Sequence, residues 1–265
     1  MHRTTTVGRV RQTRRVTGDS AQWIRRFRPA PDAAVRLVCL PHAGGSASFY
    51  LPVATALSPL VDVLAVQYPG RQDRLRDPLI DNIADLADAV TAALQPWLDR
   101  PFAVFGHSMG ASLGFEVALR LERAGTPPAH LFVSGRRPPS RTRDEQFHLG
   151  DDDALIAELS RLAGTDSNIL GDEELLRMVL PAIRNDYRAV ETYRHADAPP
   201  LAGPITVLTG DADPRTGLDD AEAWRPYTTG AFEVLVYPGG HFYLVEHSAQ
   251  VIDALSSRLG AGVRS

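Results

Sequence analysis

Gly106-His-Ser-Met-Gly110 sets a serine between two glycines, after a short apolar run and before a helical pattern. A serine on a sharp, strained strand-to-helix turn exposes its hydroxyl, provided the flanking residues are small enough for strand and helix to crowd together. Gly106 and Gly110 supply that room. A hydroxyl alone is a weak nucleophile and needs an adjacent base. His241 in Gly239-Gly-His-Phe242 can take the Ser108 proton, and Asp213 in Gly210-Asp-Ala-Asp-Pro214 can fix the imidazole tautomer and stabilise its cation. Asp211 competes for the acid role and otherwise shapes the turn. Two backbone N–H groups would stabilise an oxyanion. Met109 offers one directly after the nucleophile. The other is expected from the small-residue loop His42-Ala43-Gly44, with Ala43 ahead of Gly44.

The elements that must position these residues follow from the apolar pattern. Short apolar runs at 35–40, 61–66, 102–105 and 131–134 read as strands, and helical spacing at 52–60, 83–94 and up to Gly125 falls between them. Continuous apolar strands alternating with helices indicate a mostly parallel, doubly wound α/β sheet. The alternation breaks at Arg136-Arg-Pro-Pro-Ser140. Two helical segments follow, near 152–163 and 172–195, the second expected to kink at Pro181. Strands resume at 205–208 and 232–236, and a last helix covers about 243–259. Ser108, Asp213 and His241 each lie just past a strand end, where open α/β sheets build their sites. The order Ser, Asp, His is that of the α/β-hydrolase fold. The expected organisation is a disordered tail at 1–20, a core of 21–135 and 201–265, and a helical lid insertion at 136–200.

Composition narrows the chemistry. The 265 residues suit one domain with an insertion, and 44% hydrophobic with 23% charged is a globular balance. All 28 basic residues are arginine, which excludes the phosphate-loop lysine and Schiff-base catalysis. The single cysteine, Cys39, excludes an internal disulfide, a thiolate zinc cluster and a CxxC redox pair. It is expected as a small buried hydrophobe. A net charge of −4 argues against a nucleic-acid partner. No apolar run reaches the length of a membrane span, and no apolar segment follows Arg14-Arg15 to make a signal peptide, so a cytoplasmic protein is expected. No metal spacing is present around His241 and His247.

At these residues the sequence resembles the type II (external, editing) thioesterases of polyketide and non-ribosomal peptide pathways. The likeness runs over about residues 22–260. It rests on Leu37-Val-Cys-Leu-Pro-His-Ala-Gly-Gly-Ser46, Val66-Gln-Tyr-Pro-Gly-Arg-Gln72, Val104-Phe-Gly-His-Ser-Met-Gly-Ala111, Gly210-Asp-Ala-Asp-Pro214 and Gly239-Gly-His-Phe-Tyr243, with Trp23-Ile-Arg-Arg-Phe27 alongside. The resemblance implies an α/β-hydrolase that cleaves acyl thioesters from the phosphopantetheine arm of acyl or peptidyl carrier proteins, clearing stalled groups from a synthase. It implies Ser108 as nucleophile, His241 as base, Asp213 as orienting acid, and the insertion as lid. No cofactor is expected beyond the phosphopantetheine the substrate carries. A monomer is expected. A general carboxylesterase or acyltransferase with the same triad is the enzymatic alternative, and a non-catalytic carrier-docking protein the other.

Several side chains keep two readings. His42 either supports its loop or, with Gly44, contacts substrate. His107 is expected to pack or hydrogen-bond, and His247 to lie at the surface. Arg71, Arg74, Arg136 and Arg137 either meet the carrier and its phosphate or close local ion pairs. Leu155, Ile156, Leu159, Leu162, Leu175, Leu176 and Val179 either pack within the lid or face the acyl chain.

Overall fold

The computed structural model describes residues 20–163 and 173–261. The expected tail therefore lies outside the described residues, except Ser20. That residue opens a first helical turn, α1 (Ser20–Trp23), and its hydroxyl donates to the Ala93 carbonyl at 2.8 Å.

Among the described residues, seven strands form one sheet. They are β1 (Ile24–Arg25), β2 (Val35–Leu40), β3 (Val61–Val66), β4 (Phe102–His107), β5 (His130–Ser134), β6 (Ile205–Gly210) and β7 (Phe232–Tyr237). Their order across the sheet is β1-β3-β2-β4-β5-β6-β7. Only β1 runs antiparallel, pairing Ile24 with Val66. Two residues carry no readable alternation, so β1 has no signature in the sequence. The central strands are buried along their whole length. That is why they read as unbroken apolar runs rather than alternating ones.

Successive side chains point to opposite faces, and each face has its own core. Val38, Leu40, Leu64 and Val104 meet α3 (Ile83–Leu94) and α4 (Met109–Arg123) through Leu86, Val90, Leu113 and Val117. Leu37, Cys39, Val63 and Phe105 meet α2 (Leu51–Leu57) and a C-terminal helix through Leu57, Val251 and Leu255. Cys39 is fully buried there, which raises its thiol pKa far above the ordinary range.

Between β5 and β6 the chain forms α5 (Asp152–Ala163) and α6 (Glu173–Glu191), the latter continuing through Pro181. Leu155, Leu176, Leu180, Ile183 and Tyr187 make a separate small core between these helices, with Ile156, Leu159 and Val179 packed against it. Packing is thus the use of most apolar positions in this segment. A short α7 (Leu218–Glu222) follows β6, and after β7 the C-terminal helical segment is interrupted at His247 into α8 (Tyr243–Glu246) and α9 (Ser248–Ala261). No described helix is long and apolar enough to cross a membrane.

The order β3-β2-β4 means that the chain leaves β2 in one direction and returns on its other side at β4. Such a reversal opens a crevice at the carboxyl ends of the two strands. The His42-Ala43-Gly44 turn and Ser108 both sit there, because Leu40 is paired with Gly106.

Candidate active site

Ser108 links β4 to α4 with φ 55 and ψ −116, a left-handed backbone that a residue with a side chain adopts only under constraint. The constraint is visible on both sides. A Cβ on Gly106 would lie 2.0 Å from the Gly110 carbonyl oxygen, and one on Gly110 would lie 2.0 Å from the Leu40 carbonyl oxygen. Backbone touches backbone at both points, so only glycine fits. The Ser108 N–H donates to the Ser134 carbonyl at 2.8 Å, which ties the turn to β5. Met109 is the first residue of α4, so its N–H has no acceptor one turn back in the helix.

Asp213 follows β6, and His241 follows β7. Both are buried. The imidazole Nδ1 lies 3.1 and 2.9 Å from the two Asp213 carboxylate oxygens. With Nδ1–H directed at the carboxylate, the lone pair of Nε2 is the one left to accept a proton. The Arg215 N–H donates to Asp213 Oδ1 at 2.8 Å and fixes the carboxylate. Asp211, the competing acid, instead accepts the Gly239 N–H at 2.9 Å and closes the loop that carries His241.

Ser108, His241 and Ala43 line one cleft, together with Gly135, Arg136, Glu145, Leu162, Tyr187, Val190, Glu191 and Arg215. The cleft encloses about 30 Å³, roughly one water molecule's share of liquid volume. Of the apolar positions singled out in α5 and α6, Leu162 is the one with a described side chain that lines it. Leu175 has no described side chain. His42 and Gly44 are not among the lining residues. The His42 ring is wedged edge-on between Phe49 and Phe242, with centroids 4.8 and 5.0 Å away. Gly44 directs its N–H at the Asp186 carboxylate, 2.8 Å away. Of the two small residues in the loop, Ala43 is therefore the one at the cleft.

Behind His241 stands His107, fully buried, its ring centroid 4.9 Å from that of His241. Its Nδ1 lies 2.9 Å from Ser134 Oγ, which lies 2.6 Å from the Tyr243 hydroxyl. Burial, then the nearby His241, pushes the His107 pKa well below its ordinary value. Burial lowers His42 to about 3, with His241 and Arg71 contributing. Both flanking imidazoles are thus held neutral.

The arginines divide. Arg71 pairs with Asp186 and lies over the Tyr68 ring, 5.1 Å from its centroid. Arg74 pairs with Asp77 at 2.7 Å and lies over Trp23. Arg137 pairs with Glu145 at 2.7 Å. Arg74 and Arg137 thus close local ion pairs, whereas the partner of Arg71 lies 115 residues away on α6. Arg136 donates from Nε to Ser112 Oγ at 3.0 Å and has no carboxylate partner among the described residues. Burial beside Arg137 lowers it to about 9. No motif in the sequence singles out Arg215, Glu145, Glu158 or Asp186. Arg215 pairs with Glu145 at 2.7 Å and with Glu158 of α5.

With the geometry in place, comparison with known proteins decides the family. Residues 35–259 match the thioesterase domain family. The chain belongs to it. It is 52% identical over 240 residues to a probable cadicidin biosynthesis thioesterase of Streptomyces griseus, covering 91% of this chain and 65% of that one. It is 50% identical to Thioesterase PikA5 of Streptomyces venezuelae, covering 91% and 86% respectively. Among solved structures, the type II thioesterase BorB from the borrelidin biosynthetic cluster superposes with a TM-score of 0.86. That match has 51% identity and covers 90% of this thioesterase-family chain and 98% of BorB.

Proposed function

We propose that this thioesterase-family chain is a type II thioesterase, a serine hydrolase that removes acyl groups from the phosphopantetheine arm of carrier proteins in a polyketide or non-ribosomal peptide pathway. One observation carries the mechanism. A strained, cleft-facing Ser108 shares its cleft with a histidine whose Nδ1 is held by a buried carboxylate.

Ser108 Oγ attacks the thioester carbonyl carbon while His241 Nε2 takes its proton. The oxyanion that forms is met by the N–H groups of Met109 and Ala43. Collapse breaks the carbon–sulfur bond, His241 returns the proton to the departing pantetheine sulfur, and the acyl group remains on Ser108. Water, deprotonated by His241, attacks the acyl-serine carbonyl carbon; collapse breaks the carbon–Oγ bond, His241 returns the proton to Ser108 Oγ, and the carboxylic acid leaves. Asp213 keeps Nδ1–H oriented and stabilises the imidazolium in both halves. His107 and His42, held neutral, add no competing positive charge beside it. These steps use no metal or cofactor belonging to the protein. We place the reaction in the cytoplasm and the enzyme as a monomer, which light scattering after gel filtration checks.

Ser108→Ala is expected to fold and to lose turnover of acyl-carrier thioesters by on the order of 10⁴-fold or more. Intact-mass monitoring of acylated carrier protein reads this directly. Undiminished deacylation by the variant would remove Ser108 from the mechanism. A strong preference of the wild type for p-nitrophenyl esters over acyl-carrier protein would replace this reading with a general esterase.

A further inference from the structure

The loop that carries Ala43 is tied to the sheet at its two ends and to α6 at its middle. At the start, the Tyr50 hydroxyl donates to the Leu40 carbonyl at 2.8 Å and the Tyr68 hydroxyl to the Pro41 carbonyl at 3.1 Å. At the finish, the Ala47 N–H donates to Gln67 Oε1 at 2.7 Å. Between them the Gly45 N–H donates to the His42 carbonyl at 2.9 Å, closing a four-residue turn with Ala43 and Gly44 at its centre. Gly44 has φ +74, the conformation a type II turn requires at that position.

A type II turn and a type I turn differ by a flip of the central peptide, here the one joining Ala43 to Gly44. The Gly44 N–H belongs to that peptide, and it donates to the Asp186 carboxylate at 2.8 Å. In the flipped turn the Ala43 carbonyl oxygen would replace the N–H on that side, because the peptide is planar and trans. Two acceptors would then face each other in a buried site. Asp186 is 2% exposed and is charge-paired with Arg71, which in turn donates to the Pro69 carbonyl at 2.6 Å. Ile183, three residues earlier on the same helical face, fills the space beside Gly44: a Cβ there would come 2.8 Å from its Cγ1.

We propose that Asp186 is a positioning residue for the oxyanion site. Through the Gly44 N–H it pins the centre of the 42–45 turn, and with it the position of the adjoining Ala43 at the cleft, so oxyanion stabilisation depends on α6 being seated. This deepens the proposed function and rests on it. It also gives a role to Arg71 of the QYPGRQ segment, which fixes the carboxylate that fixes the turn. α6 has other anchors. Asn185 Nδ2 donates to the Ile80 carbonyl at 2.8 Å, and Tyr187 packs in the α5–α6 core. Loss of the Asp186 carboxylate therefore releases the turn without unseating the helix.

The test uses the full chain with acylated carrier protein as substrate and butylboronic acid as probe, since a boronate adds to a serine hydroxyl and mimics the tetrahedral state. Losing one whole oxyanion donor costs on the order of 10²–10³ in rate, so misplacing one is expected to cost less. Asp186→Ala should lower kcat about 10- to 100-fold with KM within about threefold, and weaken boronate inhibition by the same factor. Asp186→Asn keeps an acceptor oxygen for the Gly44 N–H and should recover most of the loss. If Asp186→Ala does not fold, Asp186→Glu takes its place; it keeps the charge, displaces the oxygens by one methylene and should show the same kcat and boronate losses. Wild-type kcat in a folded Ala or Glu variant overturns the proposal. So does a kcat loss with unchanged boronate affinity, or an Asn variant as impaired as the Ala variant. Each of these leaves the thioesterase reading standing if the wild type deacylates the carrier, whereas a wild type that does not deacylate it ends that reading first.

Discussion

At the scale of single residues, three imidazoles crowd one corner, and only His241 has a carboxylate. His107 Nε2 and His42 Nδ1 are sealed from solvent and have no hydrogen-bond partner among the described residues. Both rings stay neutral in the folded protein because an imidazolium there would lose its hydration. The unfolded chain protonates these histidines near their ordinary value of about 6.5. Below that pH the unfolded state therefore binds protons that the folded state refuses, and stability falls as pH falls. The loss continues, for His42, down to about 3. Each histidine contributes a slope of about 1.4 kcal/mol per pH unit. Urea unfolding at pH 7.5, 6.5 and 5.0 is expected to show the loss only below about 6.5. This window lies above the range where carboxylates such as Glu233, lowered to about 2 by Arg258, begin to titrate. His42→Gln should remove about one histidine's share of the slope between pH 6.5 and 5.0. An unchanged slope in that variant would show that His42 titrates normally in the folded state.

At the scale of elements, the strand-to-helix turn depends on the glycines flanking Ser108. Gly110→Ala pushes a methyl into the Leu40 carbonyl, and neither β2 nor α4 can retreat, since both are covered on either side by core. The expected cost exceeds about 4 kcal/mol, enough to deplete soluble protein. Gly125→Ala is the control. Gly125 has positive φ, at +79, but open space around it, so the cost is the backbone term alone, about 1–2 kcal/mol. Equal stability of the two variants by chemical denaturation would refute the crowding argument. This turn was legible from sequence because its constraint is local: strand, glycine, serine, glycine and helix are contiguous. Five of the six long strands were legible because burial on both faces makes them largely apolar, and β7, only half-buried, was legible from its Phe-Glu-Val-Leu-Val run. β1 and the break at His247 were not. The first is too short to carry a period. The second separates α8 from α9 without a proline or glycine to mark it. Asp186 was the deeper omission. It meets Gly44 across 142 residues of sequence, and an aspartate on a charged helix face gives no local sign that it is buried.

At the scale of the molecule, a chain of net charge −4 gathers five arginines around one cleft. Arg136, Arg137, Arg141, Arg143 and Arg194 line it, and it shares Arg136, Val190 and Glu191 with the cleft of Ser108. Two of the five are neutralised, Arg137 by Glu145 and Arg143 by Asp220. Arg194 donates only to the carbonyls of Glu191 and Tyr193, and neither Arg136 nor Arg141 has a carboxylate partner among the described residues. Overall repulsion of anions and local attraction thus point a negatively charged substrate to the side of the molecule that holds the nucleophile. The phosphodiester of a phosphopantetheine arm is such a group, and an acyl N-acetylcysteamine thioester is the same reacting unit without it. Raising salt from 50 to 500 mM shortens the screening length from about 14 to about 4 Å. It is therefore expected to raise KM for the acyl-carrier several-fold and leave that for the small thioester within about twofold. Arg141→Ala with Arg194→Ala should reproduce the carrier effect at low salt and abolish most of its further salt dependence. Their kcat on the small thioester should remain that of the wild type, since neither side chain lines the Ser108 cleft. A double variant whose carrier KM and salt response match the wild type would place the anion's approach on another face of the molecule.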